Sequence, residues 1–114
     1  MEYKSKNTRQ IIGTSYHGYH ISITPNQLIK FCKEQNFDFN FDNTGKEKIN
    51  LQAVLQNKNF EWCTVYDWKE YEELNMNMYY EFHIGGHNED STVQMYLELK
   101  NWLMNKDWSD GLIK

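Results

Sequence analysis

Tyr79-Tyr80-Glu81-Phe82-His83-Ile84-Gly85-Gly86-His87-Asn88-Glu89-Asp90-Ser91-Thr92-Val93-Gln94 is the stretch on which the fold class turns. Tyr79 to Ile84 is rich in aromatic and β-branched residues, as a strand requires. Two glycines interrupt it. Ser91-Thr92-Val93-Gln94 then has the form of a capping box, in which a hydroxyl and a carboxamide satisfy the first free N–H groups of a helix. Behind it Val93, Tyr96, Leu97, Leu99, Trp102 and Leu103 line one side of a helix reaching about Asn105. A strand thus passes through a tight turn straight into an amphipathic helix.

Working outward, a second strong helix start lies at Thr24-Pro25-Asn26-Gln27: Thr24 caps, Pro25 suits the first helical position, and Gln27 completes the box. Leu28, Ile29, Phe31 and Cys32 give its apolar stripe, and the helix is expected to end near Gln35. Before it, Ile11 to Ser15 and Tyr19 to Ile23 flank His17-Gly18 and read as a β-hairpin, with Gly18 at positive φ. After it, Phe37, Phe39 and Phe41 suggest an extended segment and Asn43-Thr44-Gly45 a turn. Ile49 to Gln56 and Phe60 to Tyr66 read as two antiparallel strands, the first with a short helix as alternative. Asp67 to Met78 reads as a long connection with at most one helical turn. The order ββα-ββ-βα argues an α+β domain, a mostly antiparallel sheet with two helices on one face.

The 114 residues suit one domain with one core. Residues 1–10 are polar and read as a flexible arm, 11–105 as the domain and 106–114 as a C-terminal tail. Aromatic residues make up 16% of the chain, so the core is expected to be built largely from rings. The net charge is -4 and Arg9 is the only arginine, which argues against duplex nucleic acid as a partner. Cys32 and Cys63 lack the spacing of a disulfide framework or a zinc knuckle, and two reduced thiols are expected. No apolar run of membrane-spanning length occurs, and the start lacks an apolar leader segment, so a cytoplasmic protein is the expectation, in a host cell if the chain is viral.

His17-Gly18-Tyr19, Thr24 to Leu28, Val65-Tyr66-Asp67-Trp68-Lys69 and Phe82-His83-Ile84-Gly85-Gly86 together resemble a group of small phage and virus proteins. Their pattern is an N-terminal strand, a capped helix, an "IYD-aromatic-K" strand end, a "W/F-H-I-G-G" strand end and a C-terminal helix. The likeness spans roughly Ile11 to Leu103. It departs at Phe82, where tryptophan is expected, and at Asn57-Lys58-Asn59, where an Asp-Gly type of turn is expected. The resemblance implies a viral accessory protein and transfers no catalytic residue.

Three chemistries compete on these residues. The Gly85-Gly86 turn before a helix offers N–H groups to an anion, but Glu89 and Asp90 already complement that helix end and would repel phosphate. A structural turn, with glycine supplying unusual dihedrals, is the simpler reading. His17, His20, His83 and His87 have no cysteine or carboxylate at confirming spacing, so no metal is expected. Tyr19-His20-Ile21-Ser22-Ile23 has the h-H-h-S-h form of two-histidine phosphoesterases. Phe82-His83-Ile84-Gly85 would be the second copy, lacking the hydroxyl. His20, Ser22 and His83 are therefore the alternative catalytic set, able to do acid–base work on a phosphodiester if both imidazoles face one cleft.

Tyr66, Asp67, Trp68 and Tyr71 form, with Glu70, Glu72 and Glu73, an acidic aromatic patch of the kind interfaces use as anchors. The leading expectation is a viral accessory protein that binds a host protein, without catalysis, and interferes with a host function such as defence. The alternative is a sponge for a small (cyclic) nucleotide signal, with rings stacking the base and His83, Gly85, Gly86 and His87 meeting the phosphates. No cofactor is expected in either case, and the oligomeric state is not read from the sequence.

Overall fold

The structure, a computed structural model, describes residues 2–3, 11–46, 48–68 and 72–105. In chain order the elements are β1 (Glu2–Tyr3), β2 (Ser15–Ile23), α1 (Pro25–Gln35), β3 (Asp38–Asp42), β4 (Leu51–Gln56), β5 (Trp62–Tyr66), β6 (Tyr80–Gly86) and α2 (Glu89–Asn105). Across the sheet they run β1-β3-β4-β5-β6-β2, and every neighbouring pair is antiparallel. Strands β2 and β3 consequently point the same way, from opposite sides of the sheet. A hairpin cannot join such strands, and α1 carries the chain across.

Local chemistry explains both helices. Thr24 accepts from the Gln27 N–H at 3.0 Å while the Gln27 side chain accepts from the Thr24 N–H at 3.0 Å, with Pro25 at the first position. Asn36 stops α1 in the left-handed region at φ 63°, its N–H bonded to the Cys32 carbonyl. The second helix begins three residues earlier than the Ser91 cap implies. Asn88 is the residue that caps it: its Oδ1 accepts from the Ser91 N–H at 2.8 Å, and Ser91 Oγ accepts from the Asn88 N–H at 3.3 Å. The box is present with its members displaced by one turn.

Alternation along the strands separates two faces. Ile21, Ile23, Leu51, Ala53, Leu55, Cys63, Val65, Phe82 and Ile84 are buried against Leu28, Phe31, Met95 and Leu99 of the helices. The helices meet through Phe31 and Trp102, edge to face at 5.1 Å, and Trp102 Nε1 donates to Glu34 at 3.0 Å. With α1 on β3 and β4, and α2 on β2, β5 and β6, the α+β expectation of two helices over one face is met.

One element differs. The expected hairpin at Ile11 to Ile23 is a single strand, β2, paired only with β6, and His17-Gly18 is a bulge inside it. Tyr16 pairs with Gly85 and Tyr19 with Ile84, so two residues are looped out of the ladder. Gly18 does take positive φ, at 91°, but to make a bulge and not a chain reversal. Of the expected N-terminal arm, Glu2–Tyr3 pair with Phe41 and Asp42 as a short edge strand. Its other residues and the expected tail lie outside the described residues.

Candidate functional site

The face of the sheet turned away from the helices is where the singled-out residues converge. His20 and His83 are direct partners in the β2–β6 ladder, one step from the Ser22–Glu81 pair. Directly opposed side chains in such a ladder have Cβ atoms roughly 4.5–5.5 Å apart. The bulge then sets Tyr16, and not Gly18, beside His20 on this face. Tyr16 lies flat on His83, ring centroids 4.3 Å apart and planes at 21°, and its hydroxyl is 3.2 Å from His20 Nδ1. On the far side of His83 stands Tyr66, edge-on at 5.6 Å. Trp68 continues the row from Tyr66 at 6.1 Å, with Lys48 Nζ 5.7 Å above its ring.

Electrostatics distinguish the two imidazoles. Burial between rings lowers the His83 pKa below the ordinary histidine value, the neighbouring His20 lowers it further, and Glu81 opposes both. Among the described residues no hydrogen bond takes up either ring nitrogen of His83. His20 is about half exposed, and its Nε2 lies 3.7 Å from Glu81 Oε2, an ion pair when the imidazole is protonated. The Tyr66 phenol is raised by burial and then by Tyr16, which keeps it a neutral hydroxyl.

Other expected site residues have different places. Asp67 is fully buried, not displayed: its Oδ1 accepts from the Asn50 and Leu51 N–H groups, both at 2.8 Å, and its Oδ2 from the Asn50 amide at 3.1 Å. It ties the β5 end to the start of β4. Trp68 is 39% exposed. Tyr71 and Glu70 lie outside the described residues. Gly85 shares the open face with His83, whereas Gly86 lies beneath the first turn of α2. Neither has positive φ; the expectation of unusual dihedrals gives way to close approach, since a Cβ on Gly86 would stand 2.5 Å from Thr92 Oγ1. The α2 N-terminus is already served by Asn88, with Glu89 and Asp90 in its first turn.

His17 and His87 stand apart from the pair. His17 Nε2 is 3.1 Å from the Gly86 carbonyl oxygen, and exposed His87 lies against Gly13. Among the described residues no group of three or more His, Cys, Asp or Glu is placed to hold a metal ion. A groove of about 890 Å³ lies elsewhere, between the end of α1, the β4–β5 turn and α2, with Phe31, Phe37 and Trp102 among its walls. Its charged residues are Lys58 and Glu98, and Glu98 is engaged by the Lys58 N–H at 2.8 Å. Among the described residues the groove brings no histidines together, so the open sheet face, with its opposed imidazoles, is the better site. Sequence reasoning did not find Tyr16, whose place beside His83 depends on the bulge.

No family model matches the chain, and no curated protein and no solved structure matches it. No helix among the described residues is long and apolar enough to cross a membrane.

Proposed function

We propose that the chain binds a small nucleotide through the open face of its sheet and so withdraws a signal from the host cell, as a viral accessory protein would. The observation that carries this is the continuous row Tyr16, His83, Tyr66 and Trp68, in which rings lie side by side with the exposed His20 next to half-buried His83. A sheet face carrying aromatic side chains is a stacking platform for bases, while imidazoles and Lys48 supply donors for a phosphate. A small ligand suits the chain better than a polynucleotide, because a net charge of -4 works against a long phosphate backbone.

A panel of linear and cyclic nucleotides, titrated while following the imidazole resonances, tests this reading. Binding is expected to shift His20 and His83 together, and Tyr66→Ala should weaken it by about 1–3 kcal/mol, the worth of one stacked base. A panel that leaves both imidazoles unmoved at millimolar nucleotide sinks it.

The second reading, a host protein bound without catalysis, is favoured by one observation: Trp68 is 39% exposed at the end of the same row, and Glu72 and Glu73, a few residues on in sequence, are exposed too. Capture of a defined host protein that is lost on Trp68→Ala, with no nucleotide response, would select it.

A further inference from the structure

We infer that the open face also cleaves what it binds: a 3′,5′-linked ribonucleotide is opened at its phosphodiester, with His83 the general base and His20 the general acid. The inference rests on the nucleotide reading of this face and goes beyond it.

The geometry asks for such a division of labour. Transesterification of a ribonucleotide needs a base at the 2′-hydroxyl and an acid at the leaving O5′, on opposite sides of one phosphorus. His20 and His83 are direct cross-strand partners, so their rings project in parallel from one surface toward a common ligand. Among the described residues no hydrogen bond takes up a His83 ring nitrogen, and the ring sits between Tyr16 and Tyr66, whose burial of it favours the neutral form a base requires. His20 stands between the Tyr16 hydroxyl at 3.2 Å and the Glu81 carboxylate at 3.7 Å, where an imidazolium would be oriented and compensated. Two like groups in unlike surroundings are how one site holds an acid and a base together. Among the described residues the charged or titratable groups facing the pair are Tyr16 from β2, Glu81 from β6 and Tyr66 from β5.

In the step itself the O2′–P bond forms and the P–O5′ bond breaks. The 2′-hydroxyl proton goes to His83, and the His20 proton goes to O5′. The products are a 2′,3′-cyclic phosphate and a free 5′-hydroxyl. The substrate rearranges without gain or loss of atoms, and proton exchange with water resets the pair. No metal, oxidant or second substrate enters. Ser22, next along β2 on the same face and paired with Glu81, is placed to hydrogen-bond a phosphate oxygen or ribose hydroxyl, standing in part for the hydroxyl that Gly85 does not provide.

The experiment uses the full chain with linear and cyclic 3′,5′-linked ribodinucleotides and their 2′-deoxy counterparts as probes. Product is read by mass and phosphorus resonance, and affinity is read separately with the deoxy probes. The expected result is a 2′,3′-cyclic phosphate from the ribo probes alone, with a bell-shaped rate profile around neutral pH. His20→Ala and His83→Ala should each lower the rate by about 100-fold or more, beyond whatever deoxy-probe affinity is lost with a phosphate donor, while the chain stays folded. A ribo probe that binds and stays intact overturns cleavage and leaves the binding reading standing. Failure of both probes to bind overturns both. Cleavage of the deoxy probes, or cleavage surviving in the His20→Ala/His83→Ala double variant, also overturns the assignment.

Discussion

Tyr16 covers His83, ring on ring at 4.3 Å and 21°, and so contributes to the burial that lowers the His83 pKa. Tyr16→Ala should admit water to the imidazole and raise its pKa toward the ordinary histidine value, which a resonance titration would measure. The linkage has a definite sign. A histidine whose folded pKa is depressed contributes stability above its unfolded value, and that contribution is lost as pH falls through the interval below it. The acid-side loss of stability should therefore shrink in Tyr16→Ala. An unchanged His83 pKa would transfer the cause from the ring to the charge of His20.

Asp67 and Asn50 make a buried contact whose removal is predicted to be costly. Asp67→Asn places an amide N–H₂ among the donors from Asn50 and Leu51, leaving at least one of them without an acceptor. The expected loss is about 1–3 kcal/mol in urea unfolding. Burial raises the Asp67 pKa, with the hydrogen bonds from Leu51 and Asn50 and its own N–H pulling down. Between the unfolded and the raised folded value the unfolded chain releases its proton first, so stability falls as pH climbs through that window. The variant should lack this decline; if it keeps it, another carboxylate is responsible.

Both thiols are predicted to be silent in the native state. Burial pushes Cys32 and Cys63 up to about 12, and the Cys63 thiol points at the Ser91 carbonyl at 3.5 Å. A thiol reagent at pH 8 should label neither until denaturant is added, then both. Rapid native labelling of either would contradict the packing at that position.

Two glycines should respond to alanine for different reasons. At Gly86 the new methyl would meet Thr92 Oγ1 at 2.5 Å and Ser91 Oγ at 2.6 Å, so the start of α2 must lift from β6. The expected cost is about 1–3 kcal/mol, as for overpacking elsewhere. At Gly18 a methyl meets nothing within 4 Å, but φ is +91°. There the cost is roughly 1–2 kcal/mol of backbone strain, with no change in α2. Urea unfolding combined with hydrogen exchange in the first turn of α2 separates the two.

Legibility followed the range of the interaction. Thr24, Pro25 and Gln27 act within four residues of one another, so α1 could be placed to the residue. Alternation in Leu51, Ala53 and Leu55 favoured a strand at β4, because one buried face imposes it, but left a short helix open. His17-Gly18 was ambiguous in principle: positive φ at glycine serves a hairpin turn and a bulge equally, and the choice depends on β6, far along the chain. Asp67 looked like a surface carboxylate because its partners, Asn50 and Leu51, are remote in sequence and contribute backbone N–H groups that carry no residue signature. The histidines were visible as candidates, but their juxtaposition required the β2–β6 register.

The bulge also governs how the site takes changes in chain length. Ladder positions alternate between faces, and β2 loops out an even number of residues between Tyr16 and Tyr19. Losing His17 and Gly18 together would keep Ser15 and Tyr16 on their present sides. Losing either alone leaves one residue, which keeps Tyr16 in place if it stays looped out as a single-residue bulge and turns Tyr16 under the helices if it enters the ladder opposite Gly85. Changes in length at this point are thus sorted by whether the ladder or the bulge absorbs the odd residue, and His83 keeps its cover only in the second case.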